Sequence, residues 1–373
     1  MTEAFATSVS PANSQPLQSI CILRLSAIGD VCHAVAAVQA IQRHYPLAQV
    51  TWIVGKVEAM LLKGLPGVEL VVFDKKLGFK AYADLKHKLQ GRQFDVLLHM
   101  QVALRANLAS LVIDAKRKIG FDWSRAKELH ALFMRERIAP QAKPHVLDGF
   151  AGFARHLGVP FLLNATDKPT DKPQWQMPLS QADVDFATAH LQPFRDQDFS
   201  RFLVICPAAS KAERNWLPMR YAAIADYAAN LGFVVLLCGG PTPMEYQLRD
   251  DILQQTQSNV VDLVGKTTLK QLLALLQQAS VVIAPDTGPA HMAVTVGTPV
   301  IGLYAHSNPD RTGPYLYRHY VVEVYHDELL RQTGKTAAQQ KFGKRVKGGH
   351  LMAKIEVEQV KTMLDTVITQ EKL

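Results

Sequence analysis

Cysteine is scarce: the 373 residues hold four, Cys21, Cys32, Cys206 and Cys238, with no C-x-x-C pair. Three of them sit in apolar strand-like runs, so they read as buried reduced thiols suited to a reducing compartment rather than as a disulfide framework. Cys32 lies near a site described below, and contact with substrate stays open for it. No window approaches the ~20 consecutive apolar residues of a membrane span. The first 18 residues, MTEAFATSVSPANSQPLQ, have neither a basic start nor an apolar core. They read as a disordered polar tail and not a secretory signal, and a cytoplasmic location is expected. The G-x-G-x-x-G of a dinucleotide site is missing where the first strand should run into its helix, which argues against a dehydrogenase. No D-x-D stands beside a strand, so no metal is expected.

What is present is the composition of an ordinary soluble protein, 48% hydrophobic and 20% charged, long enough for two domains. The net charge of +8 is uneven: residues 1–170 carry 21 Lys and Arg against 13 Asp and Glu, and residues 171–373 carry 20 against 20. The excess is either scattered over solvated faces or marks an anionic partner such as a phosphorylated lipid or nucleic acid. From Ile20, apolar runs (SICILRL, QVTWIV, VELVVF, FDVLLHM) alternate with helical stretches. The theme returns in RFLVIC, FVVLLCGG, NVVDLVG, SVVIAP and PVIGLY. Such alternation signals β-α-β units and parallel sheets. The Pro-, Lys- and Asp-rich stretch Asn164 to Ser180 is the best linker. The expected division is a tail over 1–18, domains over 19–170 and 171–345, and a helical segment over 346–373. Two such domains would bind ligand between the carboxyl ends of their strands.

Four loops that follow strands carry candidate chemistry. In LRLSAIGD, Gly29 permits a turn and Asp30 stands where a helix begins, either as a cap or as a general base. CPAASKAERNW clusters Ser210, Lys211 and Arg214, a set suited to a diphosphate. CGGPTPMEY is Gly-rich, with Glu245 beyond it as a potential acceptor for ribose hydroxyls. APDTGPAH sets Asp286, Thr287 and Gly288 at a helix start with His291 one turn in, a ready anion site or simply a well-capped helix. Each loop alone also fits a satisfied turn. Together they favour a nucleotide-linked substrate.

The stretches ILRLSAIGDVCHAVAAVQAIQRHYP, CPAASKAERNW, LVGKTTLKQLLALLQQASVVIAPDTGPAHMAVTVGTPVIGLY and NPDRTGPY resemble the bacterial lipopolysaccharide heptosyltransferases of glycosyltransferase family 9, from residue 20 onward. The resemblance implies an α/β protein of GT-B fold, two Rossmann-like doubly wound parallel-sheet domains facing an interdomain cleft. It implies an inverting transferase that moves heptose from ADP-heptose to the anionic Kdo/heptose inner core of lipopolysaccharide. Such an enzyme would be cytoplasmic and peripheral at the inner face of the inner membrane, with no nucleic-acid partner and no metal. The first domain would take the acceptor and the second the nucleotide sugar. By position, Asp30 matches the catalytic base, and Ser210 and Arg214, with Lys211 between them, match the diphosphate contacts, although the family usually has Lys where Arg214 stands. Glu245 falls near the ribose contact, Thr267 near the adenine pocket, and Asp286, Thr287, Gly288 and His291 on the nucleotide signature. Gln101, Arg105, Arg125 and Lys127 are candidate acceptor contacts in the basic half. One departure is YAHSNP at Tyr304 to Pro309, where many relatives read YGPTDP. A nucleotide-sugar epimerase or hydrolase of the same architecture, and a non-catalytic nucleotide-sugar-binding protein, are the alternatives.

Overall fold

A computed structural model describes residues 17–126, 130–161 and 173–373. Most of the tail, Lys127 and much of the linker therefore lie outside the described residues. Twelve strands form two sheets of six. The first contains β1 (Ser19–Leu23), β2 (Gln49–Gly55), β3 (Val68–Phe73), β4 (Phe94–His99), β5 (Ala115–Gly120) and β6 (Glu136–Arg137). The second contains β7 (Phe202–Ile205), β8 (Val234–Gly239), β9 (Val260–Val264), β10 (Val281–Pro285), β11 (Val300–Tyr304) and β12 (Val321–Glu323). Their orders, β3-β2-β1-β4-β5-β6 and β9-β8-β7-β10-β11-β12, are the same doubly wound order used twice, and every pairing is parallel. All the apolar runs named above become strands because helices cover both faces of each sheet. Ile20 to Leu23 and Val281 to Ala284 are fully buried. Each such Val, Ile or Leu contributes roughly 1.5–3 kcal/mol of burial.

The helices are α1 (Ile28–His44), α2 (Lys56–Leu62), α3 (Lys80–Lys88), α4 (Leu104–Leu111), α5 (His130–Phe133), α6 (Val146–His156), α7 (Gln181–Arg195), α8 (Pro218–Asn230), α9 (Pro243–Leu253), α10 (Leu269–Gln278), α11 (Gly288–Thr295), α12 (Pro309–Thr312), α13 (Tyr325–Thr333) and α14 (Val357–Glu371). Helix α1 is the hinge of the architecture. Val31 to Ile41 are buried on every side, because the Ala-rich AVAAVQAIQ lets α6 and α11 approach closely. The one amide in that run, Gln39, exchanges two hydrogen bonds with the backbone of Gln176, at 2.8 and 2.9 Å. Trp175 donates to the Cys32 carbonyl at 2.8 Å, so the described end of the linker lies along α1. One apolar cluster continues from β1, α1 and α6 into Val204, Leu273 and Met292 of the second sheet's layers. At the C-terminal end, Val360, Leu364 and Val367 bury one face of α14 against the second sheet's layer, and the Trp216 indole donates to the Ile355 carbonyl at 2.9 Å.

Candidate active site

The amino-terminal ends of α1 and α11 meet across the seam between the two sheets. A Cβ built on Gly29 would overlap the His291 ring, and one on Gly288 would lie 3.0 Å from Ile28 Cγ2. Both positions therefore need the bare backbone of glycine for close approach. The loops after β1 and β10 are thereby brought into one place, although more than 250 residues separate Asp30 from Asp286 in the chain.

Asp30 is in the first turn of α1, two residues inside the helix start. It is not the N-cap, which is Ala27; its Oδ2 accepts the Ala27 N–H at 3.3 Å. It also pairs with Arg24, whose guanidinium is nearly buried, donates to the Met100 carbonyl at 2.7 Å and lies over the Phe150 ring. The carboxylate stays 32% exposed, so one of its oxygens can face an incoming hydroxyl. Gln101 braces this loop: its Oε1 accepts from Leu25 N at 2.6 Å and its Nε2 donates to Ser26 Oγ at 3.3 Å. Its amide thus reaches the site's backbone support before any acceptor.

Asp286 has the opposite surroundings. Its Oδ2 accepts from the Ser307 hydroxyl at 2.5 Å and lies 3.5 Å from Arg214 NH1, while its Oδ1 is 3.8 Å from His291 Nε2. Burial alone would raise this carboxyl; the imidazole, the Ser307 hydroxyl and the Arg214 charge hold it below the ordinary range. Arg214 forks further, donating to the Asp286 carbonyl at 3.2 Å and to Ser210 Oγ at 2.7 Å. A lysine could not span both contacts. Lys211 is exposed, and its carboxylate partner among the described residues, Glu213, is 3.9 Å away. Thr287 occupies the N-cap of α11 but makes no side-chain cap bond, contrary to the expectation of a capped start. Among the described residues no side chain caps the first turn, in contrast with α9 and α10, which Thr242 and Thr268 cap.

Glu245 sits in the first turn of α9. Its Oε1 accepts from Gly240 N at 2.7 Å and its Oε2 from Thr242 Oγ1 at 2.6 Å. It closes the Gly-rich loop and keeps only its remaining lone pairs for a ligand. Thr267 is half-buried after β9, between Gly265, at φ +73°, and the α10 cap. Two further residues complete the cluster around Asp286 and Arg214, and both belong to the departing segment YAHSNP. The Ser307 hydroxyl donates to Asp286, and the His306 ring lies between two carbonyls that can only accept, Glu213 at 2.9 Å from Nε2 and Val346 at 3.2 Å from Nδ1. The departure from the common motif was their only signal in the sequence.

The acceptor candidates fare unevenly. Arg105 is exposed, with no ion pair among the described residues. Arg125 is taken: it donates from Nε to buried Asp122 Oδ2 at 2.5 Å, packs on Phe121, and is half desolvated, which lowers its proton affinity. This brace is an i, i+3 pair the sequence already contained. Lys127 lies outside the described residues. Cys32 is fully buried and its thiol is pushed well up by burial, so the contact left open for it is excluded. The other three cysteines are likewise buried and free.

Three buried imidazoles line the seam. His33 packs edge-on against His291 at 4.7 Å and against His145 at 5.0 Å between ring centroids. Burial lowers His33 far below its usual value and His145 to about 3, so both stay neutral at neutral pH. On the far side of His145 lies a cavity of about 670 Å³ whose lining includes Lys143, Arg155 and Arg318 from both halves of the chain. The space at Arg214, Asp286 and Ser307 is too narrow to admit even a water molecule, far below the several hundred Å³ usual for a ligand pocket.

Comparison with known proteins agrees with this geometry. Residues 82–342 match glycosyltransferase family 9 (heptosyltransferase). The chain is 44% identical over 351 residues to the lipopolysaccharide core heptosyltransferase OpsX of Haemophilus influenzae, covering 94% of this chain and 97% of that one. Among solved structures, a family 9 glycosyl transferase from Veillonella parvula superposes with a TM-score of 0.75 at 20% identity, covering 95% and 99% of the two chains. The Escherichia coli heptosyltransferase WaaC with ADP superposes at 0.69 and 18%, covering 94% and 100%. These two likenesses concern the fold, which is GT-B. The chain is a glycosyltransferase and belongs to family 9, the heptosyltransferases.

Proposed function

We propose that the protein transfers heptose from ADP-heptose to the Kdo/heptose inner core of lipopolysaccharide, with inversion. The acceptor hydroxyl oxygen attacks the anomeric carbon, the bond from that carbon to the β-phosphate oxygen breaks, and ADP leaves with the electron pair. Asp30 takes the hydroxyl proton. Arg214, Lys211, Ser210 and the uncapped start of α11 stabilise the charge that grows on the diphosphate, so no metal is required. In this reading Thr287, Gly288 and His291 contact the nucleotide, Asp286 aims Arg214 and His291, Glu245 meets ribose, and Thr267 borders adenine. The first domain receives the acceptor, with Arg105 among its contacts, at the cytoplasmic face of the inner membrane.

The observation that carries the reading is the contact of Gly29 with His291, which sets an accessible carboxylate opposite an enclosed, cationic anion site. The narrow space at Asp286 implies that the domains or their loops part to admit the nucleotide. Incubation with ADP-heptose and truncated cores ending in Kdo or in heptose, read by mass spectrometry, tests it. A mass increase of one heptose on either core supports the reading. Free heptose released without an acceptor would favour a hydrolase instead, and tight ADP-heptose binding with no turnover on any core a binding protein.

A further inference from the structure

Asp30 is held by one oxygen only. Both of its fixed contacts fall on Oδ2, which accepts the Ala27 N–H at 3.3 Å and pairs with the Arg24 guanidinium. Oδ1 has no hydrogen-bond partner among the described residues and is the oxygen left for a hydroxyl. The Ala27 bond is long, and a carboxylate turns freely about its last torsion, so the contact with Arg24 decides where Oδ1 points. Arg24 is fixed before it meets Asp30. It follows β1 directly, its N–H donates to the Ile53 carbonyl of β2 at 3.2 Å, and its carbonyl accepts from the Trp52 indole at 3.2 Å. Its side chain is 11% exposed and lies over the Phe150 ring of α6, 5.3 Å from the centroid, while NH1 donates to the Met100 carbonyl just past β4 at 2.7 Å.

Stability alone does not call for a cation here. The Arg24 Nε is buried with no hydrogen-bond partner among the described residues, a cost that a purely structural side chain would avoid, and a largely buried ion pair often adds no more stability than apolar packing. Other ionisable groups do not share the task. Burial pushes His33 and His99 far below the usual imidazole range, so both are neutral beside Arg24, and burial raises the Glu58 carboxyl.

We propose that Arg24 is a positioning residue for the transfer, anchoring Oδ2 so that Oδ1 of Asp30 faces the acceptor hydroxyl. The inference rests on the reading of Asp30 as the base. The hydroxyl proton passes to Oδ1 as the acceptor oxygen bonds the anomeric carbon and ADP departs; Oδ2 of the now neutral acid still accepts from Arg24. Arg24→Gln, Asp30→Asn and the double variant are assayed with ADP-heptose and the truncated core that wild type extends. Arg24→Gln is expected to lower kcat about 10- to 100-fold, with KM for ADP-heptose and ADP affinity by calorimetry within about twofold of wild type. Beside Asp30→Asn the same substitution should change the residual rate by less than about twofold, because groups that act as a unit are not additive. Arg24→Lys should recover part of the loss, since an ammonium keeps the charge without the planar fork. Near-wild-type kcat in Arg24→Gln, an equal loss in both backgrounds, or ADP affinity falling together with kcat would overturn the proposal. If Arg24→Gln does not fold, the same cycle with Arg24→Lys decides, and a kcat there equal to wild type would overturn it. Near-normal turnover by Asp30→Asn would instead defeat the base reading itself.

Discussion

The two domains share one strand order but treat their key aspartates in opposite ways. In the first, Asp30 has one cationic partner and keeps about a third of its surface open. In the second, Asp286 is enclosed by Ser307, Arg214 and His291. Both follow a central strand, Asp30 in the first turn of α1 and Asp286 just before the N-cap of α11. The difference lies in what the neighbouring loops supply. A carboxylate left open can exchange a proton, whereas one tied to three groups serves to hold those groups in place.

The sharpest way to break this contrast is Asp30→Asn. Turnover is expected to fall by about 10³-fold or more, with ADP affinity by calorimetry unchanged; near-normal turnover would reduce Asp30 to a helix-start residue. On the other side, Asp286→Ala and Arg214→Ala are each expected to weaken ADP binding roughly 10- to 100-fold, by loss of a charge-assisted network. Arg214→Lys should recover only part of it, since one ammonium cannot bond Ser210 and the Asp286 carbonyl together. Unchanged affinity in Asp286→Ala would remove that network from the nucleotide site.

A smaller effect tests the first domain's scaffold without touching its site. Asp95 accepts from Gln18 N at 2.8 Å and Ser19 N at 3.0 Å and pairs with Lys116 at 2.8 Å. The Lys116 ammonium, with those backbone bonds, lowers its carboxyl to about 2. A depressed folded-state value stabilises above the usual carboxylate range and is lost as pH falls through it. Asp95→Asn should therefore cost about 1–2 kcal/mol at pH 7, and the gap from wild type in denaturant unfolding should close as pH approaches 2. A gap that persists there would show packing, not charge, at work. The smallest expected change is with a chelator: transfer in excess EDTA should stay within about twofold of the untreated rate if Arg214 and the α11 start carry the diphosphate charge. A loss restored by Mg²⁺ would overturn that assignment.

The strands β1 to β4 and β7 to β11 were legible because buried parallel strands are written as continuous apolar runs. Strand β5, AKRKIG, was not. Its three cations leave the sheet toward partners, Lys116 to Asp95, Arg117 to Glu136 and Lys118 to the Ser110 carbonyl, so its hydrophobic pattern is broken by ion pairs chosen elsewhere in the chain. Helix α6 was hidden by Gly149 and Gly152, poor helix formers. A Cβ at Gly152 would come within 2.9 Å of Ile138 Cδ1, so a side chain there would displace the end of Ile138.

The sequence by itself determined the doubly wound class, the glycine-bearing loops that follow the second domain's strands and the carboxylate after the first strand, because periodicity, glycine turns and helix-start chemistry act over a few residues. Only the tertiary structure decided which partner each charge takes. Arg24 beside Asp30 could be guessed from six residues' separation, but Ser307 on Asp286, His306 on the Arg214 loop and Gly29 against His291 could not. Those contacts join segments brought together by the meeting of α1 and α11. No local pattern encodes that meeting, which depends on how the layers of the two sheets bury a shared apolar surface.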